Sequence, residues 1–392
     1  MIFFILAALC SLSLIYIWLY QAVLLAIQLG YKFPQLNLIE TVPPTVWPKL
    51  SVIITAKDEE AKIETSVNRL TESTYQNLEI IVVNDRSVDK TGEILERLSQ
   101  KFPQLKVIHL TDLPKGWLGK CHACWKGASE ATGEWLLFMD GDVHLAPDAI
   151  ERAISYAESK QLDHLTSIPE LLTDHPFEEG FISVFFQLLW LNVKPHGKSS
   201  PKSKWGAGIG AFNLVKKSAY TEVGGHASIK LEIADDVMLG TILRRRGFKQ
   251  DIVSGRKLIT VRWRNGLRDT IKGLEKNLFS GFSYSIPKGI FYTICFVFVQ
   301  LCPIFFAILR FPFSDILLIT YFVSLAAIYT AQSWTTGFPK WIFILHPISI
   351  SLMIYAGWKS MFVTLKQGGV RWRDTFYPLS ELREAAKRSS TN

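Results

Sequence analysis

Residues 1–31 contain no charged side chain; the first is Lys32. Few features restrict a fold more. About 20 consecutive apolar residues cross a bilayer as a helix, and within the hydrocarbon every backbone polar group must be satisfied inside the segment. A cleavable leader would need a basic start and small residues at a cleavage site. Neither occurs here, and Cys10 follows Leu9 rather than a small residue, against lipoprotein processing. Residues 1–31 are therefore expected to form an uncleaved transmembrane anchor.

Apolar runs return over residues 289–309, 314–331 and 341–362, broken by Arg310, Asp315, Pro339 and Lys340. They predict a C-terminal transmembrane region over 289–362, in two or three passes. The tail, 363–392, is basic, with Lys366, Arg371, Arg373, Arg383, Lys387 and Arg388. Three passes would carry it outside, whereas Lys and Arg favour the cytoplasmic side, so the parity stays open. Lys32 and Lys49 after the first run, and the basic middle, put the middle domain in the cytoplasm. The expectation is an integral protein of a bacterial inner membrane. Of 392 residues 48% are hydrophobic and 20% charged, with 43 Lys and Arg against 35 Asp and Glu. That balance excludes a disordered chain and a wholly soluble one. The positive charge is accounted for by the membrane face, and no recognition motif points to nucleic acid.

The middle alternates strand and helix. Pro43, Pro44 and Pro48 mark a linker. Short Val/Ile/Leu/Phe-rich runs predict strands at Leu50–Thr55, Leu78–Asn84, Lys106–Leu110 and Trp135–Met139, with helical patterns at Lys62–Thr71, Lys90–Ser99 and Ala123–Ala131 between them. Continuously apolar strands with helical crossovers mean a parallel sheet covered on both faces, with ligands at the carboxyl ends of its strands. The fold class is thus α/β, a Rossmann-like domain over residues 40–288. Phe181–Leu191 is too short to span and reads as a buried or interfacial helix. Arg262, Arg264, Arg268, Lys272 and Lys276, interleaved with Leu267, Ile271, Leu274 and Leu278, predict an amphipathic helix over about 262–282 on an anionic leaflet.

Acidic residues fall where this geometry predicts a site. Asp58, Glu59 and Glu60 follow the first strand, Asp85 the second, and Asp140-Gly141-Asp142 the fourth. One acid after a strand is usually a helix cap or a solvated turn; three clusters on one sheet are harder to explain that way. Two carboxylates around a Gly turn can face one hard divalent cation and leave coordination positions free for a diphosphate. Asp235-Asp236 opens a helical pattern that closes on Arg244-Arg245-Arg246-Gly247. Capping against the helix dipole and a general base are both compatible with it. Cys121 and Cys124 read as small buried residues of a helix, not a metal or redox pair. His122, His144, His164 and His196 are too scattered for a metal constellation. Lys198, Lys202 and Lys204 lie in a Gly/Ser/Pro loop that either covers the cleft or is simply solvated.

The runs Ser51–Glu60, Leu78–Ser87, Gly119-Lys120, Gly133-Glu134 and Met139–Val143, followed by Gly206–Gly225 and Asp235-Asp236, resemble family 2 glycosyltransferases over roughly residues 48–285. Gly368-Gly369-Val370-Arg371-Trp372-Arg373 and the membrane layout are similar to hopene-associated and carotenoid glycosyltransferases. The resemblance implies a GT-A fold, a UDP- or GDP-sugar donor, a divalent metal (Mg2+ or Mn2+) and inversion at the anomeric carbon. Carried over, Ala56, Glu59 and Asp85 would hold the nucleoside, Asp85 on the base. Lys120 would lie near the donor, Asp140 would face the ribose or sugar, Asp142 the metal, and Asp236 would be the catalytic base. Where the family more often has Glu-Asp this chain has Asp235-Asp236. Its Arg262-Trp263 is preceded by Ile259 where processive members carry Gln or Arg, which implies addition of a single sugar; Lys276 lies where a donor contact is expected in relatives, though a solvated lysine suits it better. The interfacial helix and the resemblance together point to a lipid or terpenoid acceptor. Competing readings are a membrane-bound nucleotidyltransferase, which would release pyrophosphate, and a transporter or scaffold, which the near absence of midplane charge disfavours.

Overall fold

The computed structural model describes residues 2–30, 33–40, 43–192, 206–275, 277–372 and 375–391. Lys32, His196, Lys198, Lys202, Lys204, Lys276 and Arg373 lie outside the described residues. The chain divides into two units, Phe33–Leu172 with Val193–Trp263, and Met1–Lys32 with Thr173–Asn192 and Arg264–Asn392.

The first unit is built on strands β1 (Leu50–Ala56), β2 (Leu78–Asp85), β3 (Leu105–Leu110), β4 (Trp135–Asp140), β5 (Val143–Leu145), β6 (His164–Ile168), β7 (Glu170–Leu171), β8 (Asn213–Lys216), β9 (Gln250–Ser254) and β10 (Ile259–Val261). Seven of them form one sheet in the order β3-β2-β1-β4-β8-β6-β9, while β5, β10 and β7 form a small second sheet. Alternation along the central strands divides the core into two layers. Val52, Ile54, Ile80, Val82 and Leu137 pack on one face with Ile63, Val67, Leu95 and Leu98 of the helices Ile63–Thr71 and Thr91–Lys101. Ile53, Ile81, Val83, Leu136 and Phe138 pack on the other with Ala123 and Cys124 of helix Gly119–Glu130 and Leu239 and Leu243 of helix Asp235–Arg245. With helices on both faces, β1, β2 and β4 are apolar along most of their length, while the edge strand β3 leaves Lys106 and His109 exposed.

The sheet is not wholly parallel, as the sequence pattern led us to expect. β8 runs antiparallel to both β4 and β6. The cause lies at its entrance: the Asp140 N–H, at the end of β4, donates to Gly210 O at 3.0 Å. A chain pinned to the carboxyl end of β4 just before the next strand begins can only run back along it.

The second unit is helical. Helices Phe3–Leu24, Ile286–Ile308, Ser314–Thr336 and Lys340–Gln367 are long and apolar enough to cross a membrane. Polar side chains tie the bundle: Tyr329 Oη pairs with His346 Nδ1 at 3.0 Å, His346 Nε2 with Gln300 Oε1 at 3.0 Å, and Gln187 Nε2 donates to Gln332 Oε1 at 3.1 Å. Such groups join helices that are equally apolar to lipid. Gln187 belongs to helix Pro176–Asn192, which contains the apolar stretch Phe181–Leu191. The amphipathic segment forms a helix only over Leu267–Leu274, shorter than the 262–282 expected. Gly266, with φ of +87°, sets its start, and the regular helix ends at Leu274. Gly369–Trp372 pairs antiparallel with Thr375–Pro378, and the helix Leu379–Thr391 follows.

Candidate active site

The site forms where β1, β2 and β4 end. Lys120, the second residue of helix Gly119–Glu130, places its Nζ 2.9 Å from Asp140 Oδ1 and 3.5 Å from Asp235 Oδ1. Asp236 Oδ2 accepts the Gly210 N–H at 2.6 Å. A methyl group built on Gly210 would lie 2.9 Å from Asp140 Oδ2, 3.3 Å from Asp236 Oδ2 and 3.5 Å from Lys120 Nζ. Residues from four separate stretches thus border one small space.

Backbone proximity sets this geometry. A Cβ on Gly208 would stand 1.8 Å from the Asp236 carbonyl oxygen, and one on Gly240 2.2 Å from the Ala207 carbonyl oxygen. Only residues without side chains allow segment Gly206–Gly210 to lie against helix Asp235–Arg245. Gln250 clamps the segment from β9, accepting the Ala207 N–H at 3.0 Å and donating to Ala207 O at 2.8 Å.

The carboxylates are electrostatically unlike. Asp235 is buried, which works against its charge, yet Lys120 and His226 hold its carboxyl below the usual range. Burial, then the neighbouring Asp235 charge, pushes the half-buried Asp236 up to about 6, with Lys120 opposing. Burial disfavours the Lys120 ammonium, but Asp140, Asp235 and Asp236 outweigh it and hold the ammonium form well above its ordinary range. One acid stays ionised while its neighbour is poised to exchange a proton, the pattern that environments impose on paired carboxylates.

Asp142 lies beyond the turn, its Oδ2 3.5 Å from Lys62 Nζ. Burial raises its carboxyl, and so do the charges of Asp140 and Glu59, while Lys62 lowers it. Acid oxygens that repel one another beside a single flexible lysine suit a hard divalent cation. Among the described residues, the one group of three or more side chains with ligand atoms within 4.8 Å of one another is Cys124, His226 and Asp235; Asp140 and Asp142 would leave most coordination positions to other ligands. Asp85 is buried and paired with Arg86, Nε to Oδ1 at 2.7 Å. Its Oδ2 faces Gly119, where a Cβ would come within 2.5 Å. Ala56 is buried at the end of β1, opposite Asn84. The Glu59 N–H donates to Thr91 Oγ1 at 2.8 Å. Asp58 and Glu60 lace their loop to the next, accepting the Val88 and Lys90 N–H groups at 2.9 and 3.1 Å.

Residues 51–224 match the family model described as glycosyl transferase family 2. Over those residues the chain carries a family 2 glycosyltransferase domain. The 4,4'-diaponeurosporenoate glycosyltransferase of Staphylococcus aureus (strain USA300) is 23% identical to it over 339 residues, 85% of this chain and 89% of that protein. The same enzyme from the bovine strain RF122 / ET3-1 is 22% identical over 338 residues, with the same coverage. The structure of mannosyltransferase PcManGT from Pyrobaculum calidifontis in complex with GDP-Man and Mn2+ matches with a TM-score of 0.51 at 17% identity, covering 98% of this chain and 99% of that one. A likeness at that identity concerns the fold, which is GT-A. Glycosyl transfer takes precedence over the nucleotidyl-transfer and transporter readings.

Of the residues singled out in this glycosyltransferase from its sequence, the structure brings Lys120, Asp140 and Asp236 together directly. Asp142 lies within reach of the charges of Asp140 and Glu59, and Asp85 lies against Gly119, next to Lys120. Sequence reasoning passed over Gly210, Lys62, Arg86 and His226. Only the Gly206-Ala207-Gly208-Ile209-Gly210 alternation carries a signal, since repeated glycines mark close backbone approach. Cys121 and Cys124 are buried on helix Gly119–Glu130, as their spacing suggested. His122 lies beside Trp117 and Trp125, His164 pairs with Asn213 and Gln250, and His144 is on β5.

Proposed function

We propose that this glycosyltransferase moves one sugar, with inversion, from a UDP- or GDP-sugar to a lipid or terpenoid acceptor, with Asp236 as general base. The observation that carries the reading is the meeting of Asp236, Asp140 and Lys120 around Gly210. An inverting transfer needs a base behind the anomeric carbon and positive charge near the departing diphosphate. Asp236, held by the Gly210 N–H, takes the acceptor hydroxyl's proton, or stays ionised beside it where the acceptor is itself a carboxylate. Lys120, fixed between Asp140 and Asp235, keeps an ammonium at the donor side. Glu59 and Asp85 hold the nucleoside at the ends of β1 and β2, and Ala56 leaves room for it. Mg2+ or Mn2+ at Asp142, when bound, supplies Lewis-acid stabilisation of the diphosphate; the oxygen donors present there suit such an ion.

The acceptor class rests on the four apolar helices, on the diaponeurosporenoate for which the relatives are named, and on the short basic helix Leu267–Leu274 before the first C-terminal span. In the same reading, the catalytic unit faces the cytoplasm. The test is a panel of radiolabelled nucleotide-sugars incubated with the purified enzyme and membrane lipids, with Mn2+ or with EDTA, followed by mass spectrometry. Release of nucleoside diphosphate with a lipid gaining one hexose, abolished by EDTA, is expected. Transfer to soluble sugars alone would reject the acceptor, and undiminished transfer in EDTA would reject the metal.

A further inference from the structure

His226 has no part in the mechanism above, yet it is 1% exposed and lies against the acidic pair. Tyr220 orients it. The Tyr220 hydroxyl oxygen accepts the His226 backbone N–H at 3.1 Å and pairs with His226 Nδ1 at 2.9 Å. The ionised Asp235 carboxylate beside Nε2 can only accept, which places an imidazole proton on Nε2 and lets Nδ1 accept the phenolic one. Nε2 faces Asp235 Oδ2 at 3.6 Å, and the other oxygen of the same carboxylate faces Lys120 Nζ at 3.5 Å. Phe138 covers the imidazole from the side, with ring centroids 4.8 Å apart.

We propose that His226 is a positioning residue for sugar transfer: oriented by Tyr220, it holds the Asp235 carboxylate so that the Lys120 ammonium is shared between Asp235 and Asp140. The inference rests on the proposed role of the acidic pair. Without the imidazole N–H, Asp235 would lean more heavily on Lys120, draw it away from Asp140, and change the field at Asp236. The Cys124 thiol nearby completes a set of metal-ligand types, but the Lys120 ammonium already takes the position of a cation beside Asp235, and burial first of all pushes that thiol well above its ordinary range. The cluster therefore works by hydrogen bonding and charge, without an ion.

The experiment compares His226→Leu, His226→Gln and Tyr220→Phe in the full-length enzyme, measuring kcat, donor KM, nucleotide affinity by calorimetry, thermal stability and metal content. Losing one group that orients a buried charge should lower kcat by ~10- to 100-fold in His226→Leu, with nucleotide affinity within about threefold because the nucleoside contacts lie at β1 and β2. Glutamine places an N–H where Nε2 was, so His226→Gln should recover most of that loss. Tyr220→Phe should lose less than His226→Leu, and it decides the matter if His226→Leu does not fold. Wild-type kcat in folded His226→Leu, an equal loss in the glutamine variant, or stoichiometric zinc in the native enzyme would each overturn the proposal. Asp236→Asn runs alongside. Full turnover in that variant would refute the base assignment itself, whereas an inert Asp236→Asn beside a fully active His226→Leu would refute only the positioning role.

Discussion

Asp236 shows how one residue's surroundings set both its chemistry and its cost. As the proposed base it has to be ionised, and its carboxyl is pushed up to about 6. Turnover should then fall as pH drops through about 6; a pH–rate profile flat down to pH 5 would show that another group carries the proton. Stability runs the opposite way. The folded-state value lies above that of the unfolded chain, so the protonated carboxyl favours folding, and that contribution is lost as pH rises toward 6. Above 6 the enzyme carries an anion it would fold better without. Asp236→Asn removes the charge and keeps an oxygen for the Gly210 N–H. We expect it to abolish transfer while raising stability at pH 7.5 by about 1–2 kcal/mol, a shift of this size being discounted for partial exposure, with the gain shrinking toward pH 4. Thermal melts at both pH values check the sign. A destabilised variant at pH 7.5 would mean that the field around Asp236 is not the one described.

At the scale of elements, the site depends on a contact that side chains would prevent. Helix Asp235–Arg245 lies on segment Gly206–Gly210 through Gly240, whose added Cβ would meet the Ala207 carbonyl oxygen at 2.2 Å. Gly240→Ala has to separate the two backbones, moving the Gly210 N–H off Asp236 and straining the Gln250 clamp. Overpacking of this kind costs about 1–3 kcal/mol, so chemical denaturation should register it along with a fall in kcat of at least tenfold. Native stability with native turnover would show that the contact is loose. The same contact explains what the sequence leaves unread. β1, β2 and β4 are legible to within a residue at each end because each carries an unbroken run of buried apolar residues. β5, β7, β8 and β10 are short and carry His144, Glu170, Asn213 and Thr260, so neither apolar run nor alternation marks them. Asp140 and Asp236 are legible because acids at strand and helix ends are conspicuous. Gly210 and His226 are not, since one acts through its backbone N–H and the other through a hydroxyl six residues before it.

For the molecule as a whole, the helical unit is inconsistent with an aqueous surround. Phe3 is 71% exposed, Val323 64%, Ile294 62% and Phe362 65%, one on each of the four long apolar helices. Side chains of this size, set on long apolar helices with few charges (Lys288, Asp315, Lys340, Lys359 and Lys366), suit lipid around them. The first helix is also more than a tether. Trp18, fully buried, donates through Nε1 to Val299 O at 3.0 Å, where a π turn over Val297–Leu301 loosens the regular helical pairing, and it packs edge-on to Tyr321 at 4.7 Å between ring centroids. A chain lacking residues 2–30 should therefore still sediment with membranes after alkaline carbonate, because three long apolar helices remain. It should also melt well below the intact enzyme in detergent: a lost buried tryptophan alone costs about 3–5 kcal/mol, and here a whole helix leaves the bundle. A simple anchor would give a different result, with unchanged melting once detergent replaces the bilayer. Carbonate extraction combined with a detergent melt separates the two cases, and a truncated enzyme as stable as the intact one would reduce the N-terminal helix to an anchor.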